Sequence, residues 1–418
     1  MRETPEIDDA RAQAEHVART SYGKLIAVLA KQSGDIAAAE DAIADAFAKA
    51  LEVWPRDGTP TSPEAWLLTV AKNKHRDVAK SAAVRTAAGS LNDEEFTMPQ
   101  MTTATANSAS AIIPDERLSL MFACAHPAID EHIHTPLMLQ TVLGLEANDI
   151  ASAYLVPGAT LAQRLVRAKR KIRDARIPFI IPQADEIAPR LESVLEAIYG
   201  AYSLSWQEAA KSDITSDLAS EALYLAHVVS DLLPREPEGL GLATLIAYSL
   251  ARRQARLDHA GILVPIDQQI TDLWDLLLIK RADKLLARAS SQKRPGRFQI
   301  EAAIQAVHCD RARTGKTDWQ AIAALYDGLL SLAPTMGSAV ARASAVGQAY
   351  GAPAGFNALA TIDRSDAESF QPYWATLAFL HKLAGDAAKA QEAYNKAISL
   401  CTDIPTRRWL EKAKKTGL

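Results

Sequence analysis

Apolar residues recur at helical spacing along most of this chain, and that pattern limits the fold more than any other feature. Leu161, Leu165, Ala168 and Ile172 form one such stripe. Alanine is the dominant residue, Gly and Pro are modest at 19 and 20, and runs that alternate with period two are scarce. We therefore predict an all-α fold with no sheet of any size.

Length and composition narrow the class of protein further. A chain of 418 residues predicts roughly two to four domains. The net charge of −4 does not mark the whole protein as a nucleic-acid binder, so only local clusters can do so. Cys124, Cys309 and Cys401 give no disulfide framework, which fits a reducing cytoplasm. Because the N-terminus is too polar for a signal peptide and no apolar run reaches the roughly 18 to 20 residues of a membrane span, we expect a soluble, cytoplasmic protein with no membrane partner.

The order of segments predicts three helical parts. Residues 10–86 are expected to form three or four helices, and an Ala/Thr/Ser/Asn tract at 87–112 is expected to be a flexible linker. Residues 113–182 should form a second, smaller helical domain. The remainder, 183–418, is predicted to be a helical extension.

The extension contains a repeat of 34 residues. Gly351 and Gly385 lie one period apart, and Tyr326 and Tyr394 lie two periods apart. This is the period of tetratricopeptide repeats. The final copy has residues of the preferred type at Trp374, Leu377, Ala378, Gly385, Ala390, Tyr394 and Ala397. We predict one clear repeat and two degenerate ones.

The segment 35–54 is predicted to be an amphipathic helix with an acidic exposed face. Its buried stripe is expected to consist of Ile43, Phe47, Leu51 and Trp54. Against a single Lys49, the remaining surface carries the acids Asp35, Glu40, Asp41, Asp45 and Glu52. This face is either a solvated surface or a docking surface for a basic or polar partner.

The segment 63–85 carries the opposite charge. Trp66, Leu67, Val70 and Val78 are expected to pack inward, beside a basic row of Lys72, Lys74, His75, Arg76, Lys80 and Arg85. The acidic and basic helices could simply form salt bridges with each other. Surface pairs contribute at most about 1 kcal/mol each, so a groove for a nucleic-acid backbone is the sharper interpretation.

The segment 145–179 has the pattern of a helix-turn-helix. Ile150, Ala151 and Leu155 suit its first helix, Val156–Ala159 suits the turn, and the stripe beginning at Leu161 suits the second helix. The outward face of that second helix holds Thr160, Ala162, Gln163, Arg164, Val166 and Arg167, with Lys169, Arg170, Lys171, Arg173 and Arg176 behind it.

Such a density of cations favours docking in the major groove, with a solvated basic helix as the alternative. If three to five of these cations meet phosphates, log K should fall with log salt at a slope of about −3 to −4.5.

Metal and catalytic sites are not expected. Cys124, His126, His132 and His134 cluster, but His132 and His134 point to different helix faces. Gly315–Thr317 lacks the upstream glycine of a phosphate-binding loop. An enzyme whose repeats hold a ligand would rest only on His227, His259 and His308, which we expect to be structural. We therefore expect no metal, no cofactor and no enzymatic activity.

Two stretches of the sequence resemble a known family. The run from EDAIADAF through AWLLTVAKN to Asp77 resembles region 2 of the extracytoplasmic-function sigma factors, and DIA…LVPGATLAQRLVRAKRKI resembles region 4. The longer motifs IPDERLSLMFACAHPAI, EPEGLGLATLIAYSLARRQARLDHAGILV and TDWQAIAALYDGLL resemble the subgroup with a tetratricopeptide-like C-terminal extension.

The resemblance implies an RNA polymerase sigma factor built from two small helical sigma domains, a flexible linker and a helical-repeat domain that regulates activity in cis. It implies that Asp41 and Asp45 bind the β′ clamp helices of core RNA polymerase, whose β flap is a further partner. The residues implied at the minus 10 element are Lys72, Asn73, Lys74, Arg76, Asp77 and Lys80. Those implied at the minus 35 element are Thr160, Ala162, Gln163, Arg164, Val166, Arg167, Arg170 and Lys171. A small regulatory protein is a further candidate partner for the C-terminal repeats.

A second class of function stays open at this point. A helix-turn-helix DNA-binding regulator could use the repeats for a protein partner and never join polymerase. Such a regulator has no need of the acidic helix at 35–54, and a test of co-elution with core polymerase separates the two functions.

Overall fold

The computed structural model describes residues 5–87, 115–154, 156–208 and 214–416. Across these ranges the chain is helical, and its only β-structure is an isolated antiparallel bridge between Leu257 and Leu263. The prediction of an all-α fold is confirmed. The predicted linker lies almost entirely outside the described residues.

The chain divides into two compact units, Met1–Leu204 and Ser205–Leu418. The first unit therefore contains both predicted sigma domains. Its described helices are α1 (Pro5–Ser33), α2 (Ile36–Asp57), α3 (Pro63–Ala87), α4 (Arg117–Cys124), α5 (Glu131–Thr141), α6 (Ala147–Ala153), α7 (Gly158–Asp174) and α8 (Ala184–Glu208).

Helix α2 begins at a conventional cap, since the Asp35 carboxylate accepts a hydrogen bond from the Ala38 N–H at 3.2 Å. It ends at Asp57, and the capping residue that follows, Gly58, has a φ of 82°, which favours glycine. Trp54 is buried at its C-terminal end and packs edge to face on Trp66 of α3, with 5.6 Å between ring centroids. This aromatic pair fixes α2 against α3.

The predicted buried stripe of α2 is wrong at Leu51, and Phe47 is only half-buried. Leu51 is 50% exposed. At roughly 100° per residue, Leu51 lies about 80° around the helix from Ile43, whereas Ala50 and Trp54 lie within about 20° of it. Ala50 therefore occupies the inward position that Leu51 was expected to fill.

Helix α1 runs in close backbone contact with the end of α5. A Cβ added at Gly23 would lie 1.8 Å from the Val142 carbonyl oxygen, so no side chain fits there without a shift of the backbone. The Lys31 ammonium also bonds the Glu116 carboxylate at 2.8 Å, just before α4. The N-terminal helices and the helices after residue 115 are thus packed together within the first unit.

The second unit continues as a succession of helices, interrupted by 3₁₀ turns at Arg253–Ala255 and Thr271–Leu273. Its described helices are α9 (Ile214–Leu232), α10 (Pro237–Ala251), α11 (Leu276–Ser290), α12 (Arg297–Cys309), α13 (Arg311–Thr314), α14 (Trp319–Leu332), α15 (Met336–Tyr350), α16 (Ala352–Leu359), α17 (Arg364–Ala367), α18 (Gln371–Leu383), α19 (Ala387–Leu400) and α20 (Ile404–Thr416).

The core of the second unit is a series of overlapping apolar clusters. Helix α12 supplies Cys309 to a cluster with α10 and α11, and Ile304 to the next cluster with α14. Helix α15 joins that cluster to one with α16 and α18. Helix α18 joins this one to a cluster with α19 and α20. Each helix group therefore packs mainly on its neighbours in sequence, which is how helical repeats bury their apolar faces.

The last predicted repeat coincides with α18 and α19. Ala378, Ala390, Tyr394 and Ala397 are buried, and Gly385 lies between the two helices with a φ of 78°. Small residues at such positions let two helices approach closely. The assignment of these helices as tetratricopeptide repeats stays a prediction.

Candidate nucleic-acid and protein interfaces

Both acids proposed for polymerase binding lie on the surface of α2. Asp41 and Asp45 are exposed, and the Asp45 carboxylate lies 3.2 Å from the Lys74 ammonium of α3. Both side chains of this pair are about half exposed, at 55% and 53%, so the bridge contributes at most about 1 kcal/mol. The structure thus pairs Asp45, predicted to bind polymerase, with Lys74, predicted to bind DNA. Because this ion pair is weak, polymerase or DNA can replace it at little cost in free energy.

The basic row of α3 is also accessible. Lys72, Lys74 and Arg76 are exposed, while Asn73 is half-buried and its Oδ1 accepts a hydrogen bond from Arg76 at 2.8 Å. The side chains of Asp77 and Lys80 lie outside the described residues.

Helices α6 and α7 flank a turn close to where the sequence predicts one, and Leu155, which was predicted to suit the first helix, lies outside the described residues. Ile150 and Ala151 of α6 are buried, as are Leu161 and Ile172 of α7. The predicted turn at 156–159 is too long, because α7 begins at Gly158 with Pro157 as its N-cap residue. Proline fixes its own φ and so ends the turn directly before the helix.

The outward face of α7 carries most of the residues predicted for the minus 35 element. Val166 is 59% exposed, and Ala162 is half-buried. The other exposed members are Thr160, Gln163, Arg164, Arg167, Arg170 and Lys171. Within the described ranges none of these four cations has an acidic partner, so their charge is available to an anion.

Two further cations of α7 point elsewhere. Lys169 was expected behind the outward face, yet it is only 8% exposed and lies on the buried stripe near Leu165 and Ile172. Its Nζ atom is 2.7 Å from each carboxylate oxygen of Glu40 on α2. Arg173 reaches Asp174 at 2.8 Å and Asp35, the cap of α2, at 3.7 Å. The expectation for Lys169 was wrong, because a position between Leu165 and Ile172 faces the interior whatever its charge.

The sequence alone could have flagged Lys169 but not its partner. Its spacing of four residues after Leu165 and three before Ile172 places it on the apolar stripe. Glu40, however, stands 129 residues earlier in the chain. Burial raises the pKa of the Glu40 carboxyl, Lys169 opposes that rise, and the nearby charges of Asp41 and Asp35 add to it.

Glu40 and Asp41 line the same cavity as Lys169. This cavity has a volume of about 490 Å³ and is bounded by α1, α2, the segment between α5 and α6, and α7. Its polar lining also includes Tyr22, Gln140 and Glu146. The acids of α2 are therefore continuous with the surface that meets α7.

The Cys/His cluster has other roles. Cys124 is fully buried, its Sγ lies 3.7 Å from the Thr141 hydroxyl, and burial raises the pKa of the thiol to about 12. The ring nitrogens of His134 lie 3.2 Å from the Ser193 hydroxyl and 3.1 Å from the Ile129 carbonyl oxygen. In the part of the chain that the structure describes, no group of three or more His, Cys, Asp or Glu side chains could hold a metal ion.

Comparison with known proteins finds two segments of the chain that match family models. Residues 17–84 match sigma-70 region 2, and this range contains most of α1, all of α2 and most of α3. Residues 190–290 match a family of unknown function, DUF6596. An uncharacterized protein of Rhizobium meliloti (strain 1021) is 33% identical over 372 residues, covering 87% of this chain and 86% of the relative. No solved structure matches the chain. None of the described helices has the length and apolar character needed to cross a bilayer.

Proposed function

We propose that the chain is an extracytoplasmic-function sigma factor of the sigma-70 family with an extension that regulates it in cis. It belongs to the same family as the uncharacterized Rhizobium protein, and its residues 17–84 match sigma-70 region 2. Sigma factors of this family bind core RNA polymerase and promoter DNA in transcription initiation. The observation that carries the proposal is the region 2 match at 17–84, which covers an acidic helix and a basic helix with exposed, opposite charges.

Region 2 is proposed to supply both polymerase binding and minus 10 recognition. Asp41 and Asp45 would meet cations of the β′ clamp helices, where two exposed carboxylates contribute mostly to orientation and association rate. Lys72, Asn73, Lys74, Arg76, Asp77 and Lys80 are proposed to hold the minus 10 element open as single strand. When polymerase binds Asp45, Lys74 would lose its ion pair with that residue and become available to the DNA.

Region 4 is proposed to read the minus 35 element through α7. Gln163 and Arg167 are exposed side chains that can form hydrogen bonds with base edges in the major groove, while Ala162 and Val166 offer only apolar contact. Arg164, Arg170 and Lys171 would neutralise phosphates, helped by Thr160 at the start of the helix. The β flap is the proposed polymerase partner of this region.

The extension is proposed to control these regions within the same cytoplasmic chain. Its serial clusters of helices leave faces on which a small regulatory protein could dock. In this proposal the protein acts by binding and not by catalysis. Promoter choice and strand opening do not require the sigma subunit to make or break a covalent bond.

Reconstitution tests the function directly. The purified chain should co-elute with core polymerase on gel filtration, and the complex should start transcripts on genomic DNA at sites that share upstream sequence elements. Core polymerase alone serves as the control and should give no such sites. Binding to duplex DNA without co-elution would instead identify a regulator that does not join polymerase.

A further inference from the structure

Helix α11 of the second unit concentrates positive charge on one face. Four exposed cations follow one another along it: Lys280, Arg281, Lys284 and Arg288. At roughly 100° per residue, all four lie within an arc of about 100°. The buried residues of the helix lie on its opposite side: Ile279, Ala282 and Ala289. We call the four cations the basic face of α11.

No acid among the described residues neutralises the basic face. None of its four cations forms an ion pair within the described ranges, whereas the exposed Lys389 of the same unit is paired with Asp386 at 2.9 Å. The one acid of α11, Asp283, lies to the side of the face, and its carboxylate accepts a hydrogen bond from the Tyr248 hydroxyl at 2.5 Å. The positive charge of the face is therefore available to an anion.

The spacing of these cations makes the helix less stable. Lys280, Lys284 and Arg288 follow one another at intervals of four residues, and like charges at this interval destabilise a helix. Each interval corresponds to a rise of about 6 Å, so the row is about 12 Å long. An anion bound along the row would relieve the repulsion, which makes the basic face suited to a polyanion.

The positive charge continues beyond the end of α11. Lys293 and Arg294 are exposed, and the Arg294 guanidinium donates a hydrogen bond to the carbonyl oxygen of Arg235, itself an exposed cation. Glu236 lies 3.6 Å from Arg294 and offsets part of this charge. Residues 276–294 contain six cations and one acid, in a chain whose net charge is −4. The excess of positive charge therefore belongs to this surface and not to the whole protein.

The side chains of the basic face favour duplex DNA as the polyanion. A duplex carries one negative charge per roughly 1.7 Å of its axis, so a row of cations about 12 Å long can meet several phosphates at once. The exposed side of α11 has no Asn, Gln or aromatic side chain with which to read bases or stack on them. A contact made here is therefore confined to the phosphate backbone and independent of sequence.

Exposed apolar residues lie at one end of the basic face. Leu276 and Leu277, 52% and 70% exposed, occupy the first turn of α11, and the exposed Ile270 and Leu273 precede it. An acidic protein partner would use such residues as anchors, but the anchors of protein interfaces cluster near the centre of the contact. On α11 the centre of the exposed side is cationic and the leucines are peripheral, which favours DNA over a protein.

We propose that the basic face of α11 is a third DNA-binding surface of this chain, which holds the phosphate backbone of a duplex without reading its sequence. The proposed function assigns DNA contacts to regions 2 and 4 alone. The α11 surface adds affinity to theirs and no discrimination between promoters. Because the contact needs no polymerase, its test does not depend on whether the chain joins that enzyme.

The first test measures how salt weakens binding of the full-length protein to a duplex of arbitrary sequence. Lys280→Gln combined with Lys284→Gln and Arg288→Gln should reduce the steepness of log K against log salt by about 2.7, or about 0.9 for each phosphate contact. The ratio of the affinities at about 50 mM and about 200 mM salt should accordingly fall about 40-fold relative to wild type. Fluorescence anisotropy titrations measure both quantities.

A matched control removes the same number of charges elsewhere in the second unit. Arg313→Gln combined with Lys316→Gln and Lys389→Gln changes three exposed cations outside α11 and should retain the wild-type steepness. Leu276→Ser combined with Leu277→Ser should retain it as well. The Tm of the α11 charge variant should not fall, because like-charge repulsion is removed. Wild-type steepness in that variant, or an equal reduction in the control, overturns the proposal.

The second test locates the duplex directly. Ala287 is exposed beside the basic face, so Ala287→Cys can carry an iron chelate that cleaves nearby DNA, and the three native cysteines are buried. The bound duplex should be cleaved from this position and not from Ala388→Cys, an exposed position on α19. Absence of cleavage from Ala287→Cys overturns the proposal. A loss of affinity for core polymerase in both the charge variant and the leucine variant would then assign the face to a protein partner.

Discussion

At the scale of single residues, His308 shows how burial sets an ionisation state. It is 8% exposed, its Nδ1 has no hydrogen-bond partner among the described residues, and its ring packs edge to face on Trp319 with centroids 5.5 Å apart. Burial, with the positive charges of Arg252 and Arg311, lowers the pKa of His308 to about 3. The imidazole is therefore neutral in the folded protein, which supports its expected structural role.

The pH dependence of stability follows from this shift. The folded-state pKa lies below the ordinary value of 6.5, so the unfolded chain binds more protons between the two values, and stability falls as pH falls through that window. Between about pH 6.5 and pH 4.5 the loss of stability from this one group is about 2 kcal/mol.

The free energy of unfolding of His308→Gln should lack this pH-dependent contribution. Urea unfolding followed by tryptophan fluorescence at both pH values measures the difference, and a parallel loss in wild type and variant would show that His308 is not responsible.

At the scale of elements, α7 shows what the sequence could and could not predict. Its period of 3.6 predicted the buried stripe, because burial on a helix depends on local spacing. The same spacing places Lys169 inward, but the ion pair depends on Glu40 of a helix distant in sequence, which no local pattern reveals. Helix ends were likewise uncertain, since Gly158 and Ala159 suit a turn or a first helical turn equally.

The orientation of α7 predicts that substitutions of Arg170 and of its neighbour Lys169 change the salt dependence of DNA binding by different amounts. Arg170→Met should reduce the steepness of the salt dependence of binding to a nonspecific duplex by about 0.9, the amount for one phosphate contact. Lys169→Met should leave that slope unchanged, because its side chain lies on the buried stripe. Fluorescence anisotropy titrations over a range of salt concentrations measure both slopes, and an equal reduction in the two variants would contradict this orientation of α7.

At the scale of the whole molecule, the described structure forms two units whose boundary lies after Leu204, whereas the sequence suggested that the extension begins at 183. The difference arises from α8. Its Ser193 bonds His134 of α5, and its Gly200 lies against Leu139. These contacts join residues far apart in sequence, so the proline-rich break near residue 182 looked like a boundary when only the sequence was considered.

A truncation designed on this boundary separates folding from regulation. A chain ending at Glu208 retains all of α8 and should keep the first unit folded, whereas one ending at Pro182 loses Ser193 and should melt several degrees lower. In cells, the chain ending at Glu208 should give promoter activity different from that of the full protein at equal abundance. Unchanged activity would remove the proposed regulation in cis.

The affinity of the full-length protein for core RNA polymerase is the most direct measurement of whether α2 is a polymerase-docking helix. Asp41→Lys combined with Asp45→Lys should weaken binding at least about tenfold, because two exposed attractive charges become repulsive. The matched control, Asp366→Lys combined with Glu368→Lys, reverses two exposed acids of the second unit and should bind like wild type. Wild-type affinity in the Asp41/Asp45 variant would contradict the assignment of α2, and with it the identification of this chain as a sigma factor that joins polymerase through region 2.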